Sequence, residues 1–351
     1  MDSIYYNSID LLKALIACPS HSREEEAAAS LIMEYMEAQG LAPRRHGNNC
    51  WAVAPDFDGS KPVILLNSHI DTVKPVAGWT HDPYLPIDID DRICGLGAND
   101  AGASLVSLLH AFIVLRNRPQ PCNLIFLASC EEEVSGAGGV EQVLPLLPPI
   151  AFGLVGEPTA MQPVVAEKGL MVLDCTVHGK SGHAARGEGE NAIYNALPVI
   201  EWFRNHQFPL HSEWLGSVTM AVTMIEAGTQ HNVVPDRCRF TVDVRTNERY
   251  TNQTLLELIA QSCGCEVKAR SLRLNSSFTP PDHPAVRRAQ LLGMTPTASP
   301  TLSDQALMPF TTMKLGPGDS ARSHTADEFI ERREIREAIE LYCRLLDGLQ
   351  L

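Results

Sequence analysis

Four apolar runs of strand length each end close to a histidine or an acidic residue. The runs PVILLNS, NLIFLASC and FGLVG are followed by His69, by Glu132 and Glu133, and by Glu157, and TTMKLGPGD precedes His324. In open α/β sheets, ligands bind outside the carboxyl ends of the strands. The sequence therefore predicts an α/β fold in which these side chains meet in one crevice.

Asp100 is a further candidate at a different kind of position. It lies between a glycine-rich turn in GLGANDAGAS and an apolar helical stretch from Leu105 to Leu115. The candidate metal ligands are His69, Asp100, Glu133, Glu157 and His324. Two imidazoles and three carboxylates suit zinc, cobalt or manganese. A catalytic zinc takes about three protein ligands, so five ligands with a carboxylate free to bridge predict two divalent ions about 3.5–4 Å apart. Zinc is the first expectation, and cobalt is the second.

Five segments follow one another in a characteristic order: SHIDTV, GLGANDAGAS, CEEEVSGAGG, GEPT and GPGDSARSHTADEF. In this order they resemble the signature of the co-catalytic zinc aminoacylases and peptidases. That family includes acetylornithine deacetylase, succinyl-diaminopimelate desuccinylase and related carboxypeptidases. The match runs from about Leu11 to the C-terminus, and five ordered motifs are far more specific than one.

The resemblance implies a two-metal site with a general base and a supporting aspartate. In that assignment Asp100 bridges the ions, His69 and Glu157 complete one, Glu133 and His324 complete the other, Glu132 is the general base, and Asp71 orients His69. The family usually continues the bridging aspartate with a bulkier residue and Lys-Gly, whereas Ala101 and Gly102 follow here. A role for the usual lysine is therefore not carried over.

The residues allow the same interpretation on physical grounds. Positions i and i+2 of a strand share a face, so Asp71 could reach the far nitrogen of His69, a contact that fixes the tautomer of a metal-bound histidine. Glu132 and Glu133 must point differently, one to a metal ion and one to the water whose proton it takes and passes to the leaving amine. Taken alone, such an acidic run is more often a solvated turn; the combination of segments favours chemistry.

Two segments in the middle of the chain also match the family. KSGHAARGEGENAI resembles the segment whose histidine, here His183, reaches the active site of a partner subunit and stabilises a developing oxyanion. GTQHNVVPDRCRFTVDVR resembles the segment in which Asn232 and Arg245 contact the substrate carboxylate. The alternatives are a surface-loop histidine for His183 and a structural ion pair for Arg245. The resemblance implies a homodimer.

The order of elements predicts a discontinuous catalytic domain. A helix is expected from Leu11 to Gly40, with Ser22 and Glu25 at capping-box spacing, and strands then alternate with helices to Glu157, as in a doubly wound mixed sheet. From Gly169 the pattern changes to strands with partial alternation, which indicates a smaller α+β unit with an antiparallel sheet. The expected domains are a catalytic domain, residues 1–168 and 279–351, and an inserted dimerisation or lid domain, residues 169–278.

Composition limits the setting in which the chain works. The 42 acidic residues exceed the 28 basic ones, which argues against nucleic acid or an anionic membrane as a partner. The ten cysteines form no CxxC pair, which is typical of free thiols in a reducing compartment. No export signal and no run of membrane-spanning length is recognised. The expected location is the cytoplasm.

These features predict a metal-dependent amide hydrolase that removes an acetyl or succinyl group from an amino acid. The resemblance is strongest to deacylases of N-acetylornithine or N-succinylornithine, which act in arginine biosynthesis. Succinyl-diaminopimelate desuccinylase and a dipeptidase or aminoacylase remain as alternatives. A non-catalytic, metal-binding and dimerising homologue is the alternative from another class.

Overall fold

The computed structural model describes residues 2–351. Within them, the helices are α1 (Asp2–Ile16), α2 (Glu26–Ala38), α3 (Ala103–Leu115), α4 (Ala192–Asn205), α5 (Asn252–Ser262), α6 (Pro284–Leu291) and α7 (Arg332–Leu346). The strands are β1 (Arg44–His46), β2 (Asn49–Val53), β3 (Val63–His69), β4 (Ile87–Ile89), β5 (Arg92–Cys94), β6 (Asn123–Ser129), β7 (Phe152–Val155), β8 (Val164–Glu167), β9 (Gly169–His178), β10 (Gly182–His183), β11 (Thr219–Ala227), β12 (Val233–Val234), β13 (Arg237–Thr246), β14 (Glu266–Ala269), β15 (Ser277–Phe278), β16 (Thr297–Ser299), β17 (Thr312–Lys314) and β18 (Phe329–Glu331).

The largest sheet has nine strands in the order β1-β2-β6-β3-β7-β17-β8-β15, with β16 beside β8. Its centre is parallel, because β6, β3, β7 and β17 pair in one direction. Strands β2 and β8 join this centre antiparallel. Every residue of β3 and β6 is buried, as expected for parallel strands covered on both faces. The prediction of a mixed sheet in an α/β fold is confirmed.

Helix α3 is apolar on almost all sides because it packs against β3, α1 and α7. Together with the turn before it, the stretch Ala98–Leu115 has the length and hydropathy of a membrane span, and 78% of it is buried inside the fold. The expectation that no run reaches that length is therefore corrected. Burial within the protein accounts for the apolar composition.

The chain divides into two compact units, Met1–Val165 with Phe278–Thr297 and Ser303–Leu351, and Ala166–Ser277 with Ala298–Leu302. The boundaries predicted after residues 168 and 278 lie a few residues from these. The short segment Ala298–Leu302 was expected in the first unit but belongs to the second. Its Ser299 carbonyl accepts a hydrogen bond of 3.1 Å from the Lys168 backbone N–H.

The second unit is built on the antiparallel sheet β11-β13-β9-β14. Burial alternates along β9 and β13, and the inward side chains of these strands pack with apolar residues of α4 and α5. The sheet therefore has one face covered by helices, as an α+β unit requires. Strand β11 lies at the edge of the sheet, and β10 pairs separately with β12.

The expected helix from Leu11 to Gly40 is wrong, because the structure has two helices, α1 and α2, with a turn between them. Pro19 lies in that turn and has no backbone N–H to continue a helix. The capping box expected at Ser22 and Glu25 is also absent, because no side chain among residues 2–351 caps α2. The Ser22 hydroxyl instead donates to Asp71 at 2.7 Å.

Candidate metal centre

Three neighbouring parallel strands bring their carboxyl ends to one edge of the sheet. His69 is the last residue of β3 and lies opposite Ser129, the last residue of β6. After β6 the chain turns through Glu131, which has a left-handed φ of 57°, into a short 3-10 turn that begins at Glu132. Glu157 follows the end of β7. The strand ends thus place the predicted side chains in one crevice.

Asp100 lies between the two histidines of the crevice. Its Oδ1 is 3.3 Å from His69 Nε2, and its Oδ2 is 3.7 Å from His324 Nε2. Glu157 Oε1 is 3.6 Å from the same nitrogen of His69, and Glu133 Oε2 is 3.0 Å from His324 Nε2. Each oxygen of Asp100 therefore faces a different histidine, which is the arrangement that a bridging carboxylate needs.

Glu132 lies on the His69 side of this cluster. One donor atom from each of His69, Glu132 and Glu157 falls within 4.8 Å of the others, and the same holds for His69, Asp100 and Glu133. The geometry thus brings together all five predicted ligands and the predicted base.

Asp71 holds the backbone of the acidic pair. Its Oδ1 accepts the N–H of Glu132 at 3.0 Å, and its Oδ2 accepts the N–H of Glu133 at 3.1 Å. The Ser22 hydroxyl donates to the same Oδ2. His69 Nδ1 donates to the backbone carbonyl of Asp71 at 2.8 Å, while the carboxylate is 3.6 Å away. The aspartate therefore contacts both the histidine and the glutamates.

The carboxylates of the crevice disfavour one another's charge. Burial raises the pKa of Glu132 well above its ordinary value, and the nearby Glu157 raises it further. Burial also raises the pKa of Glu157 to about 8, and the charge of Asp100 adds to this shift. Divalent cations among these oxygens would offset that repulsion, so the donor set fits hard-to-borderline metal ions.

The two histidines are paired with carboxylates. Burial by itself lowers the pKa of His69, but the carboxylates of Asp100 and Asp71 together hold it well above the ordinary value. The hydrogen bond to Glu133 raises the pKa of His324 to about 9. Because a histidine ligand must be neutral, binding of a metal ion by these histidines would release protons.

Two buried polar residues beside the candidate ligands, Asn99 and Glu328, were not singled out from the sequence. The Glu328 carboxylate accepts the backbone N–H groups of Gly97, Asn99 and Asp100 at 3.1, 2.8 and 2.9 Å. The Asn99 side chain bonds the backbone of Asp319 in return. Burial raises the pKa of Glu328 to about 7. The sequence signal for Glu328 is its position inside the segment GPGDSARSHTADEF, directly before an apolar strand.

Asp304 is a further buried carboxylate that sequence reasoning missed. Its Oδ2 accepts hydrogen bonds from Asn67 Nδ2 at 2.9 Å and from the Ser129 hydroxyl at 2.6 Å. Both donors lie near the carboxyl ends of their strands, Asn67 in β3, which ends at His69, and Ser129 in β6, which precedes the acidic pair. Asp304 therefore joins β3 and β6 directly beneath the candidate ligand residues.

The remaining predicted site residues lie in the second unit. His183 pairs with Val233 across β10 and β12, and the Asn232 carbonyl accepts the backbone N–H of Ala184 at 3.1 Å. The structure thus brings the His183 and Asn232 segments together. Arg245 forms two hydrogen bonds, of 2.8 and 3.1 Å, with the carboxylate of Asp243, as the structural alternative requires.

The family model for Peptidase family M20/M25/M40 matches residues 65–348. The acetylornithine deacetylase of Klebsiella pneumoniae (strain 342) is 29% identical over 96% of this chain and 96% of its own length. That of Proteus mirabilis (strain HI4320) is 27% identical over 98% of this chain and 97% of its own.

Solved structures have the same fold. Aminopeptidase PepT from Bacillus cereus ATCC 10987 superposes with a TM-score of 0.77 and 21% identity, covering 97% of this chain and 98% of its own. The YXEP protein of Bacillus subtilis, a dinuclear metal binding peptidase from the M20 family, gives a TM-score of 0.75 and 17% identity over 98% of both chains.

Proposed function

The chain belongs to peptidase family M20/M25/M40 and is a metal-dependent hydrolase of amide bonds, and on that premise we propose that it removes an N-acyl group from an amino acid. The observation that carries the proposal is the convergence of two histidines and four carboxylates at the edge of the parallel sheet. The first candidate substrate is N-acetylornithine, because curated relatives that match nearly the full chain are acetylornithine deacetylases.

We propose that five residues hold two divalent ions, with Asp100 between them: His69, Asp100, Glu133, Glu157 and His324. When bound, such ions lower the pKa of water and polarise the carbonyl oxygen of the scissile amide. Zinc is the first candidate and cobalt the second, since N/O donor sets accept both. The relative from B. subtilis is described as dinuclear, which supports a pair.

Glu132 is proposed to take the proton of the attacking water and to pass it to the leaving amine. Burial beside Glu157 raises the pKa of Glu132, and the two divalent ions proposed here would oppose that shift, so that the carboxylate could accept the proton of water. Asp71 is proposed to fix His69 and the backbone of the two glutamates through the contacts described above.

The second unit is proposed to supply substrate contacts and the dimer interface. His183 is proposed to stabilise the oxyanion in a partner's site, and Asn232 and Arg245 to contact the substrate carboxylate. Arg245 already binds Asp243, so a substrate carboxylate would compete with this pair. We also propose that the protein lies in the cytoplasm and acts in arginine biosynthesis, as expected for an acetylornithine deacetylase.

The test is steady-state hydrolysis by zinc-loaded and cobalt-loaded protein. The panel is N-acetylornithine, N-succinylornithine, N-succinyl-diaminopimelate and a set of dipeptides, each with a chelator control. A chelator-sensitive preference for N-acetylornithine supports the proposal. A preference for the succinyl compounds or for dipeptides would show that N-acetylornithine is the wrong substrate, while metal-dependent amide hydrolysis would stand. No hydrolysis across the panel by protein with both ions bound would favour a non-catalytic role.

A further inference from the structure

Two loops meet at the candidate metal centre, and each sends a buried polar side chain into the other. The Asp100 loop, residues 95–102, carries Asn99, and the His324 loop, residues 316–328, carries Glu328. Asn99 is 0% exposed and Glu328 is 2% exposed. Neither is among the proposed ligands, and both are adjacent or close to one in sequence.

Glu328 binds the Asp100 loop at four points. Its Oε1 accepts the N–H groups of Asn99 and Asp100, and its Oε2 accepts that of Gly97. Its backbone carbonyl accepts the N–H of Gly95 at 3.0 Å. The pairing of β18 with β5 places Glu328 there, since Phe329 lies opposite Cys94.

Asn99 binds the His324 loop in the opposite direction. Its Nδ2 donates to the Asp319 carbonyl at 3.1 Å and to the Ser323 hydroxyl at 3.2 Å, while its Oδ1 accepts the Asp319 N–H at 3.0 Å. Gly318 permits this approach: its φ is +86°, and a Cβ there would lie 2.2 Å from Asn99 Oδ1. Ser323 directly precedes His324.

We propose that Glu328 and Asn99 are positioning residues that hold Asp100 and His324 at the spacing needed for two metal ions. The inference rests on the proposed function. The Asp100 backbone N–H is fixed by Glu328, and the residue before His324 is fixed by Asn99. With these two anchors in place, the Asp100 carboxylate and the His324 imidazole lie 3.7 Å apart. Bonds that orient ligand residues in this way govern metal affinity without contacting the ion.

The test is Glu328→Gln, in which an amide replaces a carboxylate that accepts three N–H groups. One amide oxygen cannot serve all three donors, and the NH₂ group would face an N–H. We expect the affinity of the more weakly held ion to fall about 10- to 100-fold, measured by calorimetric titration of Zn²⁺ or Co²⁺ into metal-free protein. Excess metal should restore kcat, and the Co²⁺ absorption spectrum should change.

Asn99→Ala tests the reciprocal side and should weaken the same ion. The double variant should lose less than the sum of the two single losses, because both side chains support one arrangement. Glu337→Gln, on the exposed face of α7, is the matched charge control. Tyr35→Phe removes a partly buried hydrogen bond to His110 and controls for a general loss of stability.

Wild-type metal affinity in Glu328→Gln, together with metal loss in Asp100→Ala, would overturn the positioning role and leave the proposed function intact. Unchanged binding of both ions in Asp100→Ala would overturn the metal centre itself. If Tyr35→Phe and Glu328→Gln have the same thermal stability and lose the same metal affinity, the inference is also overturned. The loss would then follow from lower folding stability and not from the position of Glu328.

Discussion

At the scale of single residues, Asp71 performs more than the task predicted for it. The i, i+2 spacing predicts a contact with His69, but the imidazole donates to the Asp71 backbone carbonyl. The carboxylate, 3.6 Å from the imidazole, also binds Ser22 and the backbone of Glu132 and Glu133. One aspartate therefore connects His69 at the end of β3 with the acidic pair after β6.

Asp71→Asn should lower activity about 10- to 100-fold, because its amide can accept only one of the two glutamate N–H groups well. The measurement is kcat/KM together with metal content by elemental analysis. Ser22→Ala removes one of the hydrogen bonds to Asp71 and is the matched control, for which a smaller loss is expected. Equal activity of Asp71→Asn and the wild type would contradict the role.

Glu132→Ala should retain both metal ions and lose about 10²- to 10⁴-fold in kcat, the usual effect of removing a general base. His324→Ala is the contrasting variant, because it should lose one metal equivalent per chain. Metal content and steady-state rates of the two variants are measured side by side. Full activity of Glu132→Ala, or unchanged metal content in His324→Ala, would refute the respective assignment.

At the scale of elements, patterns that act within a strand or between neighbouring strands were predictable. The apolar runs before His69, Glu133 and Glu157 gave β3, β6 and β7, and parallel pairing then required their ends to meet. Contacts between distant segments were not predictable. Asn99 and Glu328 are separated by 229 positions. Ser22 has capping-box spacing to Glu25, but its hydroxyl donates to Asp71, 49 positions further along the chain.

Helices α2 and α3 are joined by a pair that should make stability depend on pH. Tyr35 donates its hydroxyl hydrogen to His110 Nε2 at 2.6 Å, and His110 Nδ1 donates to the Val106 carbonyl at 2.7 Å. Burial lowers the pKa of His110 from 6.5 to about 4. The folded state therefore favours neutral His110, and its contribution is present above pH 6.5 and lost as the pH falls toward about 4.

When the pH falls from about 7 to about 5, His110 takes up a proton in the unfolded state more readily than in the folded state. The free energy of unfolding should therefore fall by about 2 kcal/mol. His110→Gln keeps a hydrogen-bonding side chain but does not titrate, so its stability should fall less over that interval. Urea unfolding of metal-free wild type and variant at both pH values measures the difference. Parallel pH profiles would contradict the prediction.

At the scale of the whole molecule, the second unit exposes apolar residues that a monomer does not explain. Tyr194 and Leu197 of α4 are 70% and 59% exposed, and Met224 and Ile225 of the edge strand β11 are 64% and 59% exposed. We call these four residues the apolar edge face. An unpaired edge strand beside exposed apolar groups favours association, and a two-fold axis would pair the face with itself.

Wild type should therefore elute as a dimer of the 38.4 kDa chain, and Leu197→Asp with Ile225→Asp should elute as a monomer. Light scattering after size exclusion gives the mass. Leu291→Asp introduces the same charge at a residue of the first unit that is 87% exposed, and it should remain dimeric. A monomeric wild type would contradict the interface.

The proposed role of His183 predicts that two inactive variants restore each other. In a hybrid dimer of Glu132→Ala and His183→Ala, one site has an intact base and receives His183 from the other subunit. Mixing the two variants under exchange conditions should therefore recover up to about a quarter of wild-type activity, because half of the dimers are hybrids with one working site at random exchange. If His183 acts within its own chain, every site lacks one residue and activity stays at the level of the separate variants. Full activity of the Leu197→Asp, Ile225→Asp monomer would contradict the cross-subunit role independently, since no partner would then be needed.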